Sequence, residues 1–167
     1  MTYRYCFFDL DGTLTDPGVG ITNSVMYALK KFDINESDRK KLYPFIGPPL
    51  LESFQKYYGF TEARANEAIG YYREYFRAGG IFENSVYEGI PDMLGELKRR
   101  EVFVALATSK PYEFAVEILK HFDLYRYFDF IGAATMDGRI SKKADVIADL
   151  LDKLGIEDKS LVLMKIG

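Results

Sequence analysis

Four short runs in this chain are apolar on both faces instead of on alternate residues: Tyr3–Phe8 (YRYCFF), Val102–Ala107 (VFVALA), Phe128–Ala133 (FDFIGA) and Leu161–Ile166 (LVLMKI). A strand without a polar face must be covered from both sides, which is the situation of a parallel strand between two layers of helices. Helical patterns separate the later runs. Residues 91–100 carry Met93, Leu94 and Leu97 on one face, and Pro111 suits a first helical turn ahead of Phe114, Val116, Ile118, Leu119 and Phe122. Ser141 is a suitable N-cap for a helix reaching Leu154 and closed by Gly155. Strand and helix in alternation predict right-handed crossovers and an α/β fold with a doubly wound parallel sheet.

Between Asp16 and Glu83 the pattern changes. Helical stretches near 20–32, 49–58 and 62–77 are broken by Pro44, Gly47-Pro48-Pro49, Gly59 and Gly79-Gly80, and no strand-like run stands out. This predicts a helical cap over 16–83 inserted into a core made of 1–15 and 84–167, with hinges near Asp16 and over Asn84 to Gly89. The tyrosines and phenylalanines at helical spacing there (Tyr57, Tyr58, Tyr71, Tyr72, Tyr75 and Phe76) read as packing.

Totals narrow the function classes. A net charge of −3 and no Lys/Arg cluster leave no basic field for nucleic acid or anionic lipid, and no run reaches membrane-span length. Asp9 and Asp11 interrupt any signal-type apolar stretch, and the single cysteine, Cys6, cannot form an internal disulfide. The expected location is the cytoplasm. Cys6 reads as strand packing and His121 as a helix-end residue. GVGITN has Asn23 where a dinucleotide fingerprint needs glycine, D-L-D-G has its Gly too early for an EF-hand, and no GxxxxGK[ST] occurs.

The chemistry concentrates after the first run, in DLDGTLTD. Asp9 and Asp11 fall at the carboxyl end of the first strand, where open α/β sheets bind ligands, and residues two apart share a side. Two carboxylates so placed repel each other and lose water, so a cation beside them is required, and Mg²⁺ suits oxygen ligands. Gly12 lets the backbone approach a ligand and offers an N–H to an oxyanion, while Thr13 adds a hydroxyl. At the end of the next strand, Thr108 with Ser109 forms a candidate phosphate nest. In SKKADVIADLLDKL, Lys143 continues the inward stripe through Ile147, Leu150 and Leu154, whereas Lys142 shares a face with Asp149 and Lys153. Lys143 is therefore an ammonium aimed inward at a helix start, which calls for an anion to meet it, and Lys142 a solvated neighbour.

DLDGTLTD resembles the first signature of the haloacid dehalogenase superfamily of phosphotransferases, and the order of the chain resembles its phosphoglycolate phosphatase-like and 5'-nucleotidase-like branch with a helical cap. The resemblance implies that Asp9 is the nucleophile, forming an aspartyl phosphate, and that Asp11 is the acid and base. It further implies that Mg²⁺ is held by the Asp9 carboxylate and the Asp11 main-chain carbonyl, that Thr108 supplies the second signature, and that Lys143 supplies the third. The fourth signature, a Gly-Asp pair with a further Asp, is not met: LVLMKIG reaches Gly167 without these acids, and Glu157 and Asp158 precede the strand. The expectation is a member lacking its final strand or strands, with weakened metal affinity.

Two functions follow. One is a Mg²⁺-dependent phosphatase of small phosphorylated metabolites, phosphoglycolate- or nucleoside-monophosphate-like, with pyrophosphate also open. The other is an impaired fragment that binds phosphate or metal, or self-associates as a homodimer through an open sheet edge or the cap. A phosphoacceptor receiver domain is a third reading, opposed by the DxDGT spacing and the insert.

Overall fold

The computed structural model describes residues 3–165. Its main sheet has the order β5-β4-β1-β6, with β1 Tyr5–Phe8, β4 Phe103–Pro111, β5 Phe130–Ala134 and β6 Val162–Lys165. Every pairing is parallel, with Phe8 opposite Leu106 on one side and Lys165 on the other. The α/β class and parallel sheet expected from the four apolar runs hold. β2 (Thr15–Asp16) and β3 (Ser85–Val86) make a second, two-stranded sheet.

Burial explains why these runs became strands. Cys6, Phe7, Val104, Ala105, Leu106 and Ala107 are all buried, on both faces of β1 and β4. One of those faces is sealed by α6 (Lys143–Lys153), whose Leu150 packs with Phe7, Ala105, Ala107 and Val162. The other helices of this unit are α4 (Ile90–Arg99), with Leu94 buried, and α5 (Tyr112–His121), with Phe114, Ala115, Ile118 and Leu119 buried. Gly132 on β5 lies where a Cβ would come 2.9 Å from the Leu106 carbonyl oxygen, so the closeness of β5 to β4 requires glycine there.

Two boundaries differ from the sequence expectation. Pro111 does not open a helical turn: β4 runs through Thr108 to Pro111 with a shifted register between them, and Pro111, at φ −54 and ψ 140, is the extended residue ahead of α5. Ser141 is not the cap of α6. The Lys142 carbonyl accepts the first intrahelical bonds, from Asp145 and Val146 N–H at 3.1 Å, so Lys142 holds the capping position and Lys143 is the first helical residue. Gly155, at φ +62, follows the helix end in the left-handed conformation that closes helices. Ile166 and Gly167, which ended the fourth apolar run, lie outside the described residues.

The chain divides into two compact units, Met1–Thr15 with Val86–Gly167, and Asp16–Ser85. The second contains α1 (Gly18–Lys30), a seven-residue 3₁₀ segment Arg39–Phe45 with Pro44 inside it, α2 (Leu50–Tyr58) and α3 (Glu62–Ala78). Its aromatics pack as clusters. Phe45 meets Phe54 edge-on at 5.0 Å, Phe32 meets Phe60 at 5.0 Å, and Tyr72 stacks on Phe76 at 5.5 Å. Tyr57, 42% exposed, still meets the Phe45 ring at 5.8 Å.

Gly70 stands exposed in the middle of α3, and a Cβ there would meet nothing within 4 Å. Glycine inside a helix is less favourable than alanine by about 0.5–1 kcal/mol. Gly70→Ala is therefore expected to raise stability by about that amount, read as a higher urea midpoint at unchanged slope.

The segment joining β5 to α6 is tied to itself. Thr135 N–H donates to the Ile140 carbonyl at 2.8 Å, Ile140 N–H returns to Thr135 Oγ1 at 3.0 Å, and Arg139 Nε reaches Asp137 Oδ2 at 2.6 Å. Hydrogen bonds from Thr135 and from the main chain and side chain of Arg139 hold the Asp137 carboxyl down at about 2, against an ordinary 3.8. A depressed acid contributes stability above its unfolded value and loses it as pH falls through the folded value. Asp137→Asn should therefore be slightly less stable than the parent at pH 6. Denaturant titrations should find that gap closing as pH drops from about 4 towards 2.

Candidate active site

The acid pair sits where β1 ends. Asp9 N–H still belongs to the sheet, donating to the Lys165 carbonyl at 3.0 Å, after which the chain folds back on itself. Leu10 is the pivot: its carbonyl accepts from the N–H groups of Thr13, Leu14 and Thr15 at 2.9–3.2 Å. Gly12, at φ +75, permits this turn, and a Cβ there would strike nothing within 4 Å, so the requirement is conformational. The expectation that Gly12 N–H serves an oxyanion is corrected, because that N–H donates to the Thr15 carbonyl at 2.8 Å.

Both carboxylates are buried, Asp9 at 4% and Asp11 at 9% exposure. Each meets an ammonium. Lys143, projecting from the first residue of α6, pairs with Asp9 Oδ2, and Leu10 N–H donates to Asp9 Oδ1 at 2.8 Å. The structure thus brings Lys143, which the inward stripe of α6 singled out, to Asp9, and Lys142 is exposed. A cation at a helix start opposes the helix dipole, and the Asp9 carboxylate offsets that.

The second ammonium was not foreseen. Lys110 Nζ lies 2.9 Å from Asp11 Oδ2, with both side chains under a tenth exposed. The sequence carried a signal for it. A residue before proline is held extended, so Lys110 continues β4 and, two residues on, returns to the side of Thr108. Thr108 is buried, and its Oγ1 accepts the Lys110 N–H at 3.2 Å, leaving the hydroxyl proton for another acceptor. Ser109 between them is half-buried and joins neither carboxylate.

Three buried side-chain oxygens of one short segment have no hydrogen-bond partner: Asp11 Oδ1, Thr13 Oγ1 and Thr15 Oγ1. An unsatisfied buried polar group costs about 1–3 kcal/mol, so each of the three calls for a polar partner. Burial pushes the Asp11 carboxyl above the ordinary carboxylate range and the Asp9 charge adds to this, while Lys110 and then Lys143 pull it down. An acid so raised retains its proton to higher pH. For a hard cation the donors here are oxygens only. Among the described residues no three His, Cys, Asp or Glu side chains are grouped to hold an ion, so such an ion would keep water or ligand oxygens.

A family model described as haloacid dehalogenase-like hydrolase matches residues 6–165, nearly the whole chain. The chain belongs to the haloacid dehalogenase-like hydrolases. A 5'-nucleotidase of Pseudomonas aeruginosa is 49% identical to this hydrolase over 156 residues, 93% of this chain and 71% of the relative. The tyrosine-protein kinase PtkA of Mycobacterium tuberculosis is 37% identical over 94% of this chain, which spans only about half of that protein, 53%. Among solved structures, a predicted phosphatase from Clostridium acetobutylicum superposes with a TM-score of 0.95 at 49% identity, covering 98% of this chain and 76% of that one. The resemblance drawn from DLDGTLTD holds, and the family together with the Pseudomonas and Clostridium relatives supports a phosphoric monoester hydrolase. No helix among the described residues is long and apolar enough to cross a membrane.

Proposed function

We propose that this hydrolase is a Mg²⁺-dependent phosphatase of small phosphorylated metabolites, nucleoside monophosphates first and phosphoglycolate second, acting through an aspartyl phosphate on Asp9. The observation that carries the reading is the buried Asp9 carboxylate met by Lys143 at the carboxyl end of the central strand β1. The name of the Pseudomonas relative supports the order of substrates.

The donor set fits magnesium. Each Asp9 oxygen has one hydrogen-bonding or ionic partner and retains a lone pair. Magnesium is commonly bound through one or two carboxylates, with water and substrate phosphate completing its shell. The Asp9 carboxylate and Asp11 main-chain carbonyl would hold it. When bound, it would supply positive charge against the phosphate.

The chain's own residues do the rest. An Asp9 oxygen forms a bond to phosphorus as the bond from phosphorus to the ester oxygen breaks, and Asp11 gives that oxygen its proton. Asp11, now ionised, takes a proton from water, whose oxygen bonds to phosphorus as the Asp9 oxygen leaves. Thr108 donates its hydroxyl proton to a phosphoryl oxygen, and Lys143 balances the charge gathered on Asp9 and the transferring group. Thr13 and Ser109 remain phosphate-binding candidates, and Gly12 shapes the turn.

Trapping tests the covalent step. The protein is mixed with p-nitrophenyl phosphate and Mg²⁺, quenched in acid and reduced with borohydride, which converts an acyl phosphate to an alcohol. Peptide mass analysis should find homoserine at position 9. Phosphate release with Asp9 unmodified in the quenched protein would reject the intermediate.

A further inference from the structure

The mechanism above uses Lys143 but leaves Lys110 without a task. Lysine in β4 is out of place on packing grounds, since the strand runs through Val104, Ala105, Leu106, Ala107 and Thr108, all buried, before it reaches Lys110, itself buried. Removing an ammonium from water is expensive, and replacing a buried ion pair by apolar side chains of similar volume is often neutral or stabilising, so stability alone does not account for it. What the pair does achieve is orientation. The register of β4 shifts between Thr108 and Pro111, and irregularities of this kind re-aim side chains beside active sites. The result is an ammonium on Asp11 Oδ2 at 2.9 Å, while Asp11 Oδ1 stays buried and unpartnered.

We propose that Lys110 is a positioning residue that pins one oxygen of Asp11 and so presents the other, Oδ1, for proton transfer to and from the substrate oxygen. A carboxyl free to rotate about its last bond would offer either oxygen at varying reach, and proton transfer falls steeply outside hydrogen-bond distance. The ion pair removes that freedom before the substrate arrives. Lys110 itself need not touch the substrate. The proposal rests on the phosphatase reading, in which Asp11 protonates the leaving oxygen.

Comparing two leaving groups tests it. An alkoxide must be protonated as it departs, whereas p-nitrophenolate leaves without help. Lys110→Met should lower kcat for glycerol 2-phosphate by about 100-fold, and for p-nitrophenyl phosphate by at least tenfold less. Lys110→Arg, which can still pair with the carboxylate, should recover part of the alkyl activity. A mere folding defect, or a direct role in gripping phosphate, would reduce both substrates alike. Equal losses, or no loss on either, overturn the proposal.

Circular dichroism and a melting curve establish that each variant is folded. Where Lys110→Met is not, Lys110→Gln is read in the same way, with a smaller change in the ratio and the same result overturning the idea. If the parent protein releases no phosphate that depends on Asp9, the phosphatase reading fails and this inference falls with it. If Asp9-dependent release is present and the ratio does not move, only the role of Lys110 fails.

Discussion

Asp9→Asn is expected to lower phosphate release by on the order of 10⁴-fold, while leaving the protein folded. The two halves of this expectation have separate physical grounds. Activity falls because an amide oxygen cannot attack phosphorus as a carboxylate does, and because no acyl phosphate forms for water to cleave. Folding persists because asparagine has the same shape and its oxygen can still accept the Leu10 N–H that Asp9 Oδ1 holds at 2.8 Å. The substitution also removes a negative charge that Asp11 feels across a short distance, which relieves some like-charge repulsion. Lys143 loses its anion, but its side chain is a quarter exposed and can turn towards water. A steady-state assay of p-nitrophenyl phosphate at saturating Mg²⁺, with melting curves for both proteins, reads the two together. Release within tenfold of the parent would remove Asp9 from the role of nucleophile. A collapsed melting temperature would show that the Asp9–Lys143 pair is chiefly structural.

Lys143 and Lys110 show what could and could not be read from the sequence. Two of the four apolar runs declare themselves because central parallel strands carry no polar face, so composition alone reveals β1 and β4, whereas β5 and β6 are the outer strands of the described sheet and β6 is mostly exposed. Lys143 could be told from Lys142 because helical spacing assigns faces, and a one-residue error in the helix start leaves that assignment intact: α6 begins at Lys143 and not at the expected Ser141 cap, yet Leu150 still points into the core. Lys110 fared differently. With Thr108 read as the strand end and Pro111 as a first helical turn, nothing singled out Lys110. The extended bias before proline was the local rule that pointed the other way. The commitment of Gly12 N–H to Thr15 is a third kind of case. It depends on how a six-residue turn closes around the Leu10 carbonyl, and no period or propensity encodes that.

The largest structural effect is expected at a position with no chemistry. Gly20→Ala should destabilise the protein by about 3 kcal/mol or more, beyond the usual range for an overpacked core. A Cβ on Gly20 would stand 2.0 Å from the Gly80 carbonyl oxygen and 3.0 Å from that of Glu83. Both obstacles are backbone, so no side-chain rotation relieves the overlap. The neighbourhood is also fixed by hydrogen bonds: Gly20 N–H donates to the Glu83 carbonyl at 2.9 Å, and Ser24 Oγ donates to the Gly20 carbonyl at 2.7 Å. Beyond Gly20, Glu83 takes hydrogen bonds from Asn23 and Tyr75, so moving the 80–83 segment aside would strain those as well. Gly20 and Gly70 lie in the same unit, both in helices, and propensity alone ranks alanine above glycine at each. Opposite signs for Gly20→Ala and Gly70→Ala in urea titrations would show that close backbone approach, and not helix propensity, placed glycine at position 20. A Gly20→Ala protein as stable as its parent would mean that α1 and the segment after α3 do not approach as closely in solution as they do here.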